Sequence, residues 1–294
     1  MQQIEQVQQS TIRRRISCRG IGLHSGEEVE ITLCPAPAET GIVFVSLAGG
    51  EGEADVEIPA CLATVHSSSR STTLSVAASA PPPNGDGSRR VATVEHLLAT
   101  IFALEIDNLR IEVSGSEIPV MDGSAAPFVD WLRTAGRRTQ AATRRVFTLE
   151  DRIEIRDGDR LIRIEPAEEL RISYAIDFDH PCIGRQSLEI ARLDEKIFEG
   201  ELASARTFGF VHEVKALHEA GLALGGGMEN AIILDEERVL NQDGLRWSDE
   251  FVRHKIVDLL GDLALLGARP RGHIQVERGG HRLHHRLVAA LLNG

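Results

Sequence analysis

Cysteine and long apolar runs are scarce in this chain of 294 residues. The four cysteines, Cys18, Cys34, Cys61 and Cys182, are scattered without a Cys-x-x-Cys spacing, so the sequence predicts neither a disulfide framework nor a thiolate zinc site. The N-terminus has no apolar signal-peptide region, and no run approaches the roughly 18 apolar residues of a membrane-spanning helix. We therefore expect a soluble protein of the reducing cytoplasm.

Basic residues are also few relative to acidic ones. Asp and Glu number 44 against 32 for Lys and Arg, which gives a formal net charge of −12. This balance argues against a protein that binds nucleic acid over a broad surface. Any anionic partner must be met by a local group of basic residues.

The order of the elements indicates an α+β fold. Each half of the chain contains short runs typical of strands, followed by two segments with helical spacing. We interpret the charged segment RRTQAATRR as a connector, which places two domains at residues 1–142 and 143–294, and we predict a helix over residues 204–222. The similar order suggests a duplicated module, although the residues show no strong repeat.

One predicted helix, SDEFVRHKIVDLLGDLALLG, carries a stripe of polar residues. His254, Asp258 and Asp262 follow one another at intervals of four residues, about one helical turn, among apolar neighbours. Buried imidazoles and carboxylates are costly unless they are paired, hydrogen-bonded or bound to a metal, so the stripe favours a functional site. A hydrogen-bond network between helices would explain the same pattern.

An upstream helix begins with Glu95 and His96. With His254 and Asp258, His96 would complete a set of two imidazoles and one carboxylate, which leaves a fourth zinc position for water as in catalytic sites. Adjacent helical residues point about 100° apart, so Glu95 would flank the metal as a general base. A favourable interaction of Glu95 with the positive end of the helix is the alternative. A zinc hydrolase is our first hypothesis.

The histidines near the C-terminus are less informative on their own. His281 follows two glycines and begins the last predicted helix, a position typical of an exposed residue. We interpret His284 and His285 as solvated positions of that helix.

Several long motifs then resemble one enzyme family. They are TVEHLLAT, IDNLRIEV, EIPVMDGSAAPFVDWL, ARTFGF, LNQDGLRWSDEFVRHKIVDLLGDL and GGHRLHHRLVAALL. From GIGLHSG to the C-terminus, the chain closely resembles the UDP-3-O-acyl-N-acetylglucosamine deacetylases (LpxC), the zinc amidases that commit the lipid A pathway. The resemblance implies two similar domains, each a mainly antiparallel sheet with two helices, and helices sandwiched between the two sheets. It implies hydrolysis of the 2-acetamido group of UDP-3-O-(3-hydroxyacyl)-N-acetylglucosamine to the free amine and acetate.

The resemblance also implies roles for individual residues. The metal ligands would be His96, His254 and Asp258, and the catalytic residues would be Glu95, Asp262, His281 and Thr207. Glu95 would be the general base, and Thr207 would donate a hydrogen bond to the oxyanion. His281, oriented by Asp262, would be a cationic acid that stabilises the oxyanion or protonates the departing amine. The metal would be Zn²⁺, with Fe²⁺ as the alternative.

The substrate-binding residues implied by the resemblance are Lys255, which would approach the diphosphate, and Phe208. An insert over residues 209–239 would form an apolar passage for the acyl chain, and a first insert would cover residues 63–90. We expect a monomer that binds no nucleic acid and makes transient contact with a membrane surface.

Two departures from the family pattern stand out, the PPPNGDG stretch of the first insert and the His284-His285 pair where more neutral residues are expected. Two other functions stay open. One is a related amidase for a different N-acyl sugar. The other is a non-catalytic binder with a structural metal, against which the intact Glu95 and His281 argue.

Overall fold

The computed structural model describes residues 7–48, 54–77 and 88–293. Short alternating runs form strands, and apolar segments with helical spacing form helices. The first half of the chain contains, in order, β1 (Gln8–Ile12), β2 (Ile16–Ile21), β3 (Glu28–Pro35), β4 (Ile42–Ser46), β5 (Val56–Pro59), β6 (Val65–Ser67), β7 (Thr73–Ala77), β8 (Ser88–Val91), α1 (Glu95–Ala103), β9 (Leu109–Val113), α2 (Ala126–Ala135) and β10 (Arg137–Thr143).

The second half repeats the change from strands to helices. Its elements are β11 (Val146–Thr148), β12 (Ile153–Asp157), β13 (Arg160–Glu165), β14 (Leu170–Phe178), β15 (Gly184–Ile190), α3 (Glu195–Ile197), β16 (Phe208–Phe210), α4 (Val211–Glu219), β17 (Ile232–Leu234), α5 (Glu250–Ala264), β18 (Arg269–Glu277) and α6 (His281–Asn293). The short α3 continues into a π-helical segment, Phe198–Leu202.

The two halves have the same sheet topology. The strand order is β2-β3-β9-β4-β5 in the first main sheet and β12-β13-β18-β14-β15 in the second, where β11 also pairs with β18. In both sheets, the strand that follows the long helix is antiparallel to one neighbour and parallel to the other. This correspondence confirms the prediction of an α+β fold with two similar halves.

Helices α1 and α5 form the centre of the molecule. All nine residues of α1 and thirteen of the fifteen residues of α5 are buried, as expected for helices enclosed on every side. Helix α1 packs against α5 and α2, while α5 and α6 pack against the second main sheet. The helices therefore lie between the sheets.

Helices α1 and α5 make close backbone contact at Gly261. A Cβ atom at this position would lie 2.1 Å from the backbone oxygen of Glu95 and 2.8 Å from its Cα. Glycine permits this approach because it has no side chain. The contact holds the N-terminus of α1, with Glu95 and His96, against the polar stripe of α5.

Two local predictions are wrong. The segment RRTQAATRR, interpreted as a connector, forms β10, which pairs antiparallel with β1 near the N-terminus. The helix predicted over residues 204–222 is shorter, because β16 precedes it and α4 begins at Val211.

The domain boundary near residue 142 falls within β10 and stays a prediction. The predicted inserts at residues 63–90 and 209–239 also stay predictions. The PPPNGDG stretch lies outside the described residues. Among the residues that the structure describes, no helix combines the length and apolar character needed to cross a bilayer.

Candidate active site

Three side chains from the two central helices converge on one point. Asp258 Oδ1 lies 3.4 Å from His254 Nε2 and 3.7 Å from His96 Nε2, and the three ligand atoms lie within 4.8 Å of one another. Two ligands of a tetrahedral zinc ion, each about 2.1 Å from the metal, are about 3.4 Å apart. The three side chains therefore fit one tetrahedral ion with a position left for water. All three are buried.

His254 is held in the form that a metal ligand requires. Its Nδ1 donates to the backbone oxygen of Ala205 at 3.1 Å, which leaves the Nε2 lone pair facing Asp258. A hydrogen bond of this kind fixes the tautomer and orientation of a ligand imidazole. Burial lowers the pKa of His254 to about 4 against the opposing effect of Asp258, so the ring is neutral at physiological pH.

An ion pair fixes the segment that supplies this carbonyl. Arg206 Nε and Nη2 donate to the carboxylate of Glu250 at 2.9 and 3.1 Å. Glu250 is fully buried in the first turn of α5, and the Arg206 side chain is 8% exposed. Arg206 lies between Ala205, which accepts from His254, and Thr207, whose backbone N–H donates to the oxygen of Gly123. The pair therefore positions both neighbours.

Glu95 occupies the first position of α1, beside the candidate ligand His96. Burial raises its pKa, with a further contribution from Asp258, while His281 and His96 act in the opposite direction. A carboxylate with a raised pKa is better matched to take a proton near neutral pH than an exposed one. The backbone N–H of Thr72 donates to Glu95 Oε2 at 3.0 Å and fixes the side chain.

His281 and Asp262 form a buried dyad next to the candidate ligands. His281 Nδ1 lies 2.8 Å from Asp262 Oδ2, and its Nε2 lies 4.0 Å from Asp258 Oδ2. Burial alone would lower the pKa of His281, but Asp262, with smaller effects of Asp258 and Glu95, raises it to about 9. The imidazole is therefore a cation at neutral pH and can donate a proton.

Thr72, for which the sequence contains no functional signal, links the two candidate catalytic groups, Glu95 and the His281–Asp262 dyad. Its backbone N–H reaches Glu95, and its Oγ1 donates to Asp262 Oδ1 at 2.7 Å. Thr72 is fully buried just before β7. A threonine in a short polar segment carries no signal of this role, because both partners lie on helices that are distant in the chain.

The prediction that His284 and His285 are solvated is wrong. They are 0% and 8% exposed, and both contact Asp262: His284 Nδ1 lies 2.8 Å from Oδ2 and His285 Nε2 lies 2.9 Å from Oδ1. His281 lies three residues before His284 and four before His285, so the three imidazoles share one face of α6. That face packs against the polar stripe of α5, where all three contact Asp262.

The predicted substrate-binding residues lie beside the candidate ligands. Lys255 Nζ donates to Asp258 Oδ2 at 2.8 Å and lies 5.6 Å from the centre of the Phe208 ring. The Phe208 ring is also 6.3 Å from that of His254, centre to centre. The structure thus brings Lys255 and Phe208 to the site, while their contact with a substrate stays a prediction.

Apolar surface lies where the GIGLHSG turn meets the segment after α4. Ile21 and Leu224 are 50% and 55% exposed. A Cβ atom on Gly225 would lie 2.3 Å from the backbone oxygen of Gly22 and 2.9 Å from the Ile21 side chain, so the two segments are in close contact.

Comparison with known proteins shows the family of the chain. The family model described as UDP-3-O-acyl N-acetylglycosamine deacetylase (LpxC) matches residues 9–293. A UDP-3-O-acyl-N-acetylglucosamine deacetylase of Oleidesulfovibrio alaskensis is 48% identical over 96% of this chain and 88% of its own length. Proteins with the same name from Anaeromyxobacter sp. and Nitratidesulfovibrio vulgaris are 45% and 47% identical over 97% and 96% of this chain and 88% and 87% of their own lengths. The chain therefore belongs to the LpxC family of UDP-3-O-acyl-N-acetylglucosamine deacetylases.

Proposed function

We propose that this chain hydrolyses the 2-acetamido group of UDP-3-O-(3-hydroxyacyl)-N-acetylglucosamine to the free amine and acetate, the committed step of lipid A biosynthesis. The deacetylase activity follows from membership of the family. The observation that carries the mechanism is the convergence of three ligand atoms beside a buried carboxylate and a buried cationic imidazole.

The ligand set favours Zn²⁺, which binds imidazole and carboxylate in tetrahedral sites, over cations that prefer oxygen ligands alone; Fe²⁺ is the alternative. Zn²⁺ held by His96, His254 and Asp258 would supply Lewis acidity toward the amide carbonyl and lower the pKa of water. Neutral His254 and ionised Asp258 are in the protonation states that such binding requires, since the pKa of Asp258 lies well below its usual value.

The neighbouring residues supply the proton transfers. Glu95, whose pKa burial raises, removes a proton from the attacking water. His281 carries a positive charge beside Asp262 and gives its proton to the amine nitrogen as the C–N bond breaks, because an amine leaves poorly without one. Thr207 donates to the oxygen on which negative charge develops. The free amine and acetic acid, which ionises to acetate, then leave the site.

The substrate is held outside this centre. Lys255 offers the diphosphate a local positive charge, which matters on a chain of net charge −12, and Phe208 contributes to the substrate-binding surface beside it. The exposed apolar side chains of Ile21 and Leu224 lie where an acyl chain would leave the insert at residues 209–239. The four cysteines are free thiols, as in proteins of the reducing cytoplasm, where we place this enzyme as a monomer.

Mass spectrometry of the product tests this function. Incubation with the acylated nucleotide sugar should release one acetate per free amine, whereas an analogue without the 3-O-acyl chain should react more slowly. Conversion of both at equal rates would indicate a different N-acyl sugar substrate.

Glu95→Gln tests the assignment of the base. The variant should lose turnover while it keeps its metal, because Glu95 is not a ligand. Exposed Glu28 on β3 offers the matched control Glu28→Gln, which should behave like wild type. Retained turnover in Glu95→Gln, or loss of the metal from it, would remove Glu95 from this role.

A further inference from the structure

Asp262 accepts an unusually complete set of hydrogen bonds. His281 Nδ1 and His284 Nδ1 each lie 2.8 Å from Oδ2, while Thr72 Oγ1 and His285 Nε2 lie 2.7 and 2.9 Å from Oδ1. The carboxylate is fully buried. The mechanism above uses the bond to His281 and gives no role to His284, although both donate to the same oxygen.

Asp262 and Tyr174 contact the two ring nitrogens of His284, and the ionised carboxylate, which only accepts, requires the hydrogen on Nδ1. The Tyr174 hydroxyl lies 3.0 Å from His284 Nε2, on the far side of the ring from Asp262. Burial raises the pKa of Tyr174 well above its usual value, so the hydroxyl stays protonated and can donate to Nε2. Burial also lowers the pKa of His284 against the effect of Asp262, which favours the neutral ring. The hydrogen of that ring is then on Nδ1 and points at Asp262.

The backbone leaves space for this contact at Gly279. A Cβ atom there would lie 2.6 Å from the Tyr174 hydroxyl and 3.2 Å from His284 Nε2. The first glycine of the Gly-Gly-His turn thus makes room for the hydrogen-bonded chain from Tyr174 through His284 to Asp262. The chain connects β14 and α6 to α5 directly behind His281.

We propose that His284, held by Tyr174, is a positioning residue that fixes the Asp262 carboxylate so that Oδ2 stays directed at His281. The terminal torsion of an aspartate is broad, so the carboxylate orientation depends on its partners. Without His284, Oδ2 keeps one of its two donors, and His281 loses part of the support that fixes its ring. This inference rests on the deacetylase function proposed above.

Substitutions at position 284 separate a donor from a space-filling side chain. Asn places an N–H close to the position of the imidazole Nδ1, whereas Leu fills the space without a donor. His284→Leu should lower kcat on the order of tenfold, the effect of one lost hydrogen bond to a charged group, with KM nearly unchanged. His284→Asn should recover most of this loss. Activity is expressed per bound metal, and His273→Leu, on the partly exposed face of the central strand β18, serves as control.

Tyr174→Phe adds a test that distinguishes a positioning role of His284 from a purely structural one. The substitution removes one hydroxyl and keeps the ring, so it stays informative if His284→Leu fails to fold. In the wild-type background it should lower kcat several-fold, because the His284 ring loses the hydrogen bond at Nε2 that holds it against Asp262. In the His284→Asn background it should have no further effect on kcat, since Asn does not reach the hydroxyl.

The outcomes separate this inference from the proposed function. A wild-type protein that releases no acetate would overturn both. An active wild type with unchanged kcat in His284→Leu would overturn the positioning role alone. Equal effects of Tyr174→Phe in the two backgrounds, or a His284→Asn variant as slow as His284→Leu, would also overturn it.

Discussion

Gly261 offers the sharpest test of how the two central helices build the site. In Gly261→Ala, the new Cβ would lie 2.1 Å from the backbone oxygen of Glu95 and 2.8 Å from its Cα. Both atoms belong to the backbone of α1, so no flexible side chain can move aside. Normal contact distances require α1 and α5 to separate by roughly 1 Å.

This displacement is large for catalysis and small for folding. Metal ligands tolerate deviations of about 0.2 Å, and His96 directly follows Glu95 on the displaced helix. A misplacement of about 1 Å costs on the order of a hundredfold in rate. Overpacking of a core typically costs about 1–3 kcal/mol, which leaves most domains folded. We therefore expect a folded Gly261→Ala variant with about hundredfold lower kcat/KM and weaker metal affinity.

The assay compares acetate release and metal affinity, measured by competition with a chelator, against those of Gly200→Ala. Gly200 lies in the π-helical segment, and a Cβ atom at this position would meet no atom within 4 Å. Its replacement by alanine should therefore change neither acetate release nor metal affinity. A Gly261→Ala variant with wild-type metal affinity and kcat/KM would refute the argument that helix spacing sets the geometry of the site.

Three further predictions follow from other contacts. Thr72→Val should lower kcat in the acetate-release assay about tenfold while Thr72→Ser keeps it, because only Val loses the bond to Asp262; equal rates would contradict this. Glu250→Gln should lower the free energy of unfolding in urea by about 3–5 kcal/mol, because it leaves a buried arginine without its anion; an unchanged midpoint would count against it. The kcat/KM should fall as the pH rises through the pKa of His281, about 9, since only the protonated ring donates a proton. It should also fall as the pH is lowered and Glu95 becomes protonated. A pH profile that keeps rising above about pH 10 would exclude His281 as the acid.

The sequence predicted those residues of the site that form a pattern within one short segment. His254, Asp258 and Asp262 recur at helical spacing among apolar residues, so their shared face is visible before the fold is known. His96 joined them because an adjacent carboxylate and imidazole at a helix start suit a base and a ligand. The structure brings His96, His254 and Asp258 within reach of one ion.

The remaining contacts depend on packing between distant segments. Thr72 meets Asp262 across 190 positions of sequence, and Tyr174 meets His284 across 110. His284 and His285 lie among arginines in the sequence, so the pattern predicted solvent where the fold places α5. Strand β10 was missed for the same reason: its polar residues resemble a linker, and its pairing with β1 joins the two ends of a long stretch of chain.

The candidate ligands lie on both halves of the chain, so metal binding would be linked to the assembly of the molecule. His96 belongs to the first half of the chain and His254 and Asp258 to the second, so an ion held by all three is also a cross-link between them. Its binding free energy adds to that of the contact between α1 and α5. Removal of the metal by a chelator should therefore weaken the contact between the two halves before either one unfolds. The melting temperature of the enzyme would then depend on the metal concentration.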